Sequence, residues 1–328
     1  MDAPSNPVGD RRPRGRAFGL VAVCVAATAV AALAVGAWAL TRAGSGSSGI
    51  SATEIESGGP PSVLTKGFVG LPLAGHDRDV LVGIGARPRG PVDVVVITSD
   101  ESPVASDDVT LVHGTTRVSG SAATSCGSRC LRFPLRVLAG ARSSFVVTVD
   151  LPRKPAASVR FALPAGLPAS ADRLYRAART RMLALDSLTM HETLGSGLAP
   201  PVVSTWTFGA PDRMSYEIAG GSKAVVIGTR RWDRADGKWT RSTSSPLRLP
   251  AYPWQVVTSA RLLGSTRLDG RPLRVLAALK PGAEFPTWFL LYVTHGGDVL
   301  RMRMTTTGHF MVDTYGALDS APPIRPPA

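Results

Sequence analysis

Cysteine is scarce, with three in 328 residues, which excludes a fold held by a disulfide framework. Acidic residues are in deficit, 24 against 37 Lys and Arg, leaving a formal charge of +13. The arginines are scattered apart from Arg173, Arg176, Arg179 and Arg181. No nucleic-acid motif accompanies them, so nucleic acid is not an expected partner. Such a surface suits anionic lipid headgroups or wall polymers, or is simply a solvated exterior. Catalytic signatures are missing too: no Gly-x-Ser-x-Gly elbow, no His-Glu-x-x-His and no phosphate-binding glycine loop. The histidines are dispersed at 76, 113, 191, 295 and 309. His191-Glu192 reads as a strand-start pair without metal spacing, and His76-Asp77 as a solvated turn. A non-enzymatic protein without a cofactor is expected.

Charge is also absent from Ala17 to Leu40. As a helix that run spans roughly 36 Å, enough to cross a bilayer with some tilt. Arg11, Arg12, Arg14 and Arg16 precede it, and a short basic flank stays in the cytoplasm. The reading is a basic cytoplasmic tail (1–16), one transmembrane helix (17–41) and a chain that lies outside the cytoplasm from there on. Ala37-Trp38-Ala39 resembles a signal-peptidase site, but the apolar run is long for a signal peptide. Cys24 follows Val23, a poor lipidation context, and reads as a small apolar residue in the membrane.

A Gly/Ser-rich spacer (42–60) comes next. Residues 61–165 then show short β-rich runs, among them Val80–Ile84, Val92–Ile97, Val109–Val112 and Phe145–Val149. Their spacing, with no helical pattern between them, predicts an Ig-like β-sandwich, although the region lacks the tryptophan of antibody domains. After a Pro-rich break, Ser170 stands as an N-cap, and Leu174, Ala178, Met182 and Leu185 recur at helical spacing. This predicts a helix over 170–188. Strands return afterwards, with Asp236-Gly237, Asp269-Gly270 and Gly296-Gly297 as hairpin turns. One helix followed by successive antiparallel hairpins predicts a curved sheet with the helix on its concave face. The fold class is thus mainly β with an α+β second domain (169–316), followed by a Pro-rich tail (317–328) expected to be disordered over Ala321–Ala328.

The helix at 170–188, Ser204-Thr205-Trp206-Thr207, Ala210-Pro211-Asp212-Arg213-Met214 and Gly228-Thr229-Arg230-Arg231-Trp232 resemble the LolA and LppX group of lipoprotein carriers and lipid-binding lipoproteins. That resemblance implies a half-barrel holding an acyl chain between sheet and helix. Residues 123–130 (Ala-Thr-Ser-Cys-Gly-Ser-Arg-Cys), 229–234 and 308–311 also resemble the extracytoplasmic part of actinobacterial CopD-like copper-resistance proteins. The multi-helix membrane core of those proteins is missing, so copper transport does not carry over.

Candidate site residues follow. Trp206, Phe208, Met214, Tyr216 and Ile218 alternate toward one side of their strands, as do Met302 and Met304. Together they form either an ordinary core or an apolar ligand pocket. Cys126 and Cys130 read as a disulfide in an oxidising compartment. The same pair with His309 and Met311 would be a soft-metal set for Cu(I). The preferred expectation is a membrane-anchored extracytoplasmic binding, carrier or sensor protein for a lipid or acyl ligand, working with envelope proteins. A copper-handling accessory and a ligand-free envelope scaffold are the alternatives.

Overall fold

The computed structural model describes residues 70–123, 126–138, 142–281 and 286–328. The basic tail, the transmembrane segment and the spacer expected over 1–60 lie outside these residues. Among the described residues no helix is long and apolar enough to cross a membrane. The chain divides into two units, Met1–Glu54 and Ile55–Ala328, and all described residues belong to the second. Its described residues are mainly β, with open antiparallel sheets and one α-helix.

The first lobe comprises β1 (Leu71–Asp77), β2 (Val80–Ala86), β3 (Val92–Ile97), β4 (Val109–His113), β5 (Thr116–Ser119), β6 (Ser121–Ala122), β7 (Cys130–Phe133), β8 (Ser143–Val149) and β9 (Ala157–Leu163). One sheet runs β1-β2-β3-β7-β6 and the other β5-β4-β8-β9, with all pairings antiparallel. Val82, Ile84, Val94, Leu111, Phe145 and Val147 come from both sheets and share one core. Cys126 and Cys130 are joined in a disulfide.

The second lobe opens with α1 (Asp172–Leu183). The N-cap is Ala171 rather than the expected Ser170 and has no side-chain cap; Ser170, one residue earlier, instead accepts the Asp172 N–H on its Oγ. The helix ends at Leu183, about a turn and a half short of the expected residue 188, because Leu185 and Asp186 already turn into the next strand. Its buried stripe is Tyr175, Ala178 and Met182. Eleven strands follow: β10 (Ser187–Gly195), β11 (Val202–Gly209), β12 (Arg213–Ile218), β13 (Lys223–Ile227), β14 (Arg230–Ala235), β15 (Lys238–Thr243), β16 (Ser259–Leu268), β17 (Arg271–Lys280), β18 (Thr287–Val293), β19 (Val299–Thr306) and β20 (His309–Gly316). They form one sheet in the order β15-β14-β13-β12-β11-β10-β20-β19-β18-β17-β16. Two meanders, β10–β15 and β16–β20, therefore meet along a single seam, the β10–β20 ladder. Asp236-Gly237 and Asp269-Gly270 turn their hairpins with positive φ at both residues, the two-residue geometry that matches strand twist.

Consecutive strands β15 and β16 lie at opposite edges of this sheet. Residues 244–258 connect them as a strap crossing the sheet's inner face. The Leu249 N–H donates to the Pro211 carbonyl at 2.8 Å. Tyr252 packs edge-on against Tyr315, and its hydroxyl donates to the Met182 carbonyl of α1. Trp254 is fully buried, stacked on Tyr252 and edge-on to Tyr175. Helix and strap together cover the inner face.

The first lobe packs on the opposite, outer face. Leu279, Trp288 and Phe310 join Leu81, Val95, Ile97, Cys126 and Cys130 in one cluster. The Trp288 ring lies against Gly83, where an added Cβ would stand 2.1 Å from Cζ2. Gly83→Val is therefore expected to destabilise the protein by about 1–3 kcal/mol through overpacking. Urea titration checks this, and Trp288→Leu in the same chain should recover part of the loss.

The C-terminal tail corrects an expectation. It has no regular structure, yet it is docked rather than disordered. Ile324 is buried and its carbonyl accepts from Arg213. Asp319 bonds Arg181 and the Asp186 N–H. Proline content speaks against regular structure, not against packing.

Candidate functional site

Strand register decides which side chains share the inner face. Met190 stands opposite Trp206, and Trp206 opposite Tyr216. Phe208 stands opposite Met214, and Ser204 opposite Ile218. On the other side of the seam, Met302 stands opposite Asp313 and Met304 opposite Met311. All seven expected pocket residues thus lie on one face. Trp206, Met214, Tyr216, Ile218, Met302 and Met304 are buried, and Phe208 is half-buried. Trp206 packs on Tyr216 with ring centroids 4.7 Å apart and stacks on Phe208 at 6.2 Å. At the far side of this patch, Arg231 donates to the Tyr216 hydroxyl and grips Asp233.

The two patches do not touch in the register; a polar cluster on the seam separates them. Glu192 and Asp313 are direct cross-strand partners, and both are buried. Trp206 Nε1 donates to Ser204 Oγ at 2.7 Å, and Ser204 Oγ donates to Glu192 Oε1 at 3.1 Å. The Tyr315 hydroxyl donates to Asp313 Oδ2 at 3.0 Å. Asp313 Oδ1 is buried and has no hydrogen-bond partner. Among the described residues neither carboxylate has a cationic partner within ion-pair distance.

Electrostatics follows from this arrangement. Burial pushes the Glu192 carboxyl above the usual range, partly opposed by the bonds from Ser204 and Trp206. Asp313 is raised well above its ordinary value, first by burial and then by the neighbouring Glu192 charge. Burial also raises the Tyr315 hydroxyl, with Asp313 adding to the effect. Two carboxylates this close and this dry resist double ionisation, so the pair retains a proton that isolated carboxylates would lose.

Sequence reasoning missed this cluster. The local pattern pairs Glu192 with its exposed neighbour His191 and gives Asp313 no distinguishing neighbour. The available signal was phase. Glu192 shares the inward phase of Leu188 and Met190, and Asp313 that of Met311 and Tyr315. A carboxylate in the buried phase of a strand marks a place that needs a partner.

The copper candidates do not converge. Cys126 and Cys130 are bonded to each other and pack with Phe310 on the outer face. His309 and Met311 flank Phe310, so strand alternation points them to the opposite side. No thiolate is left to ligate soft metal at the disulfide.

No family model matches the chain, and no curated protein does; the CopD-like resemblance rests on its quoted residues alone. Several solved structures are similar to about half of it. LprF from Mycobacterium bovis shares 12% identity over 49% of this chain and 100% of its own, with a TM-score of 0.38. The lipoprotein LppX from Mycobacterium tuberculosis shares 10% over 47% of this chain and 97% of its own, with a TM-score of 0.35. A LolA superfamily protein from Nitrosomonas europaea shares 13% over 47% and 94%, with a TM-score of 0.22.

Proposed function

We propose that this chain is a non-enzymatic binding or carrier protein whose second lobe, a LolA-like half-barrel, holds an apolar, lipid-like molecule on its inner face. One observation carries the reading. Aromatic and thioether side chains flank a single buried polar cluster that contains an unpartnered carboxylate oxygen. Ligand sites are built this way, with apolar walls and a few convergent polar groups of perturbed pKa. Ordinary cores leave few such acceptors unsatisfied, and each one calls for an explanation. Met302, Met304 and Met214 suit a wall that must accept varied apolar shapes. Asp313 Oδ1 lies without a partner, so the ligand we propose is an apolar body carrying one polar group that can hydrogen-bond a carboxyl.

The placement outside the cytoplasm is part of the proposal. The charge-free run 17–40 and its basic flank support a single-span anchor with the cytoplasmic end first, and the 126–130 disulfide suits an oxidising compartment. The strand orders β2-β3-β7-β6 and β5-β4-β8-β9 support an Ig-like first lobe, since they follow the immunoglobulin arrangement with β1 added at one edge. Reporter fusions after residue 60 are expected to be active only as exported reporters.

Solvent extraction and native mass spectrometry of the purified chain test the binding reading. A co-purified lipid-like molecule is expected. Trp206→Ala should lower its occupancy while reducing stability by less than the about 3–5 kcal/mol that deleting a tryptophan from a solid core costs. A full-sized loss of stability, with nothing extracted from the wild type, would leave a ligand-free scaffold.

A further inference from the structure

The β14–β15 hairpin is the edge of the large sheet, and its two faces differ. Its inner side carries Arg231, neutralised by Asp233 at 2.8 Å. Its outer side carries Arg230, Trp232 and Arg234 on one strand, with Trp239 and Arg241 on the other. Register places Trp232 opposite Arg241 and Arg234 opposite Trp239, so cation and indole alternate both along and across the hairpin. The three arginines are exposed and the indoles half-buried. Guanidinium stacking accounts for part of that cover: Arg230 lies 5.7 Å from the Trp232 ring and Arg234 5.9 Å from the Trp239 ring. No carboxylate shares this face of the hairpin. The next charges inward, Lys223 and Glu217, neutralise each other.

We infer that this face is a docking surface for a bilayer rich in anionic phospholipid. Tryptophan favours the headgroup level of a membrane, where its apolar body and its N–H are both accommodated. Arginines beside it meet the negative surface potential and hydrogen-bond phosphate oxygens bidentately. Stacking on the indoles presents the guanidiniums outward without further ordering of the side chains. A soluble polyanion would reward the arginines but leave the indoles unused, so the alternation favours a surface with both charge and an apolar layer. The inference does not depend on what the inner face holds, because these side chains point away from it.

The test uses the full chain in uncharged detergent micelles doped with brominated phosphatidylcholine or brominated phosphatidylglycerol, with tryptophan quenching as the readout. Phosphatidylglycerol should quench more, and the excess should vanish in Trp232→Phe/Trp239→Phe. Any quenching of Trp38 is common to both lipids and cancels. Each arginine should raise the ratio of docked to undocked chain about fivefold, so Arg230→Gln/Arg234→Gln/Arg241→Gln should lower it about a hundredfold. Salt should weaken the effect in the wild type. Equal quenching by the two lipids overturns the inference. So does excess quenching that survives removal of both tryptophans. An emission shift produced as fully by soluble dextran sulfate as by phosphatidylglycerol also overturns it and would make the hairpin a polyanion site.

Discussion

Asp313→Asn is expected to stabilise the protein at neutral and alkaline pH, with the gain disappearing in acid. Asp313 is buried beside Glu192, with one oxygen unpartnered. Its folded-state pKa is raised, first by burial and then by the Glu192 charge. Below the unfolded value, about 3.9, the group is protonated in both states and contributes no pH dependence. Above it, the unfolded chain ionises while the folded chain retains its proton. Stability therefore falls as pH rises toward the folded pKa, by up to about 1.4 kcal/mol per pH unit for each such group. Glu192 is shifted the same way and adds to the slope. Asparagine keeps an acceptor for the Tyr315 hydroxyl and has no ionisation to forgo on folding. The gain at pH 8 should be at least about 1.4 kcal/mol, the linkage cost of one pH unit between the unfolded and folded values. Urea titrations at pH 4, 6 and 8 decide the matter. An asparagine variant less stable by the same amount at every pH would show that the carboxylate is satisfied in solution.

Trp254→Ala should be among the most damaging single substitutions, at about 3–5 kcal/mol. Its ring is fully buried between Tyr252 of the strap and Tyr175 of α1, and its carbonyl accepts from the Tyr175 hydroxyl at 2.9 Å. Removing the indole empties the joint at which strap, helix and sheet meet. Trp254→Phe should recover most of the loss, because the stacking surface survives. Thermal melts of the two variants suffice, and a loss below about 1 kcal/mol for alanine would mean that the strap is not anchored there.

What the sequence discloses and what it hides follow from the range of the interactions. Met214, Tyr216 and Ile218 declared their face through alternation, and the Asp-Gly pairs declared their hairpins through the backbone geometry that only a few residues accept. These are local rules. The strap has no period: Tyr252 and Trp254 are set in it by contacts with α1 and Tyr315, which no window of sequence contains. The helical spacing overruns the helix because Leu185 fits its stripe and is indeed buried, but on the way into β10. The acid pair is the plainest case. Glu192 and Asp313 come from opposite ends of the lobe's sequence, and only the order of strands makes them neighbours.

That order also dictates when the sheet can close. Every pairing within the two meanders is between consecutive strands, so each half can form as its hairpins emerge. The β10–β20 ladder must wait until the last strand exists, and loop closure over that distance is slow. Until then, both halves expose a strand edge of the kind that attracts other chains. Joining them brings Glu192 and Asp313 together, so the least favourable electrostatic contact on the inner face arises in the step that completes it. Acid should therefore speed refolding through this step, and a chain truncated before His309 should persist as two edge-exposed halves prone to aggregate.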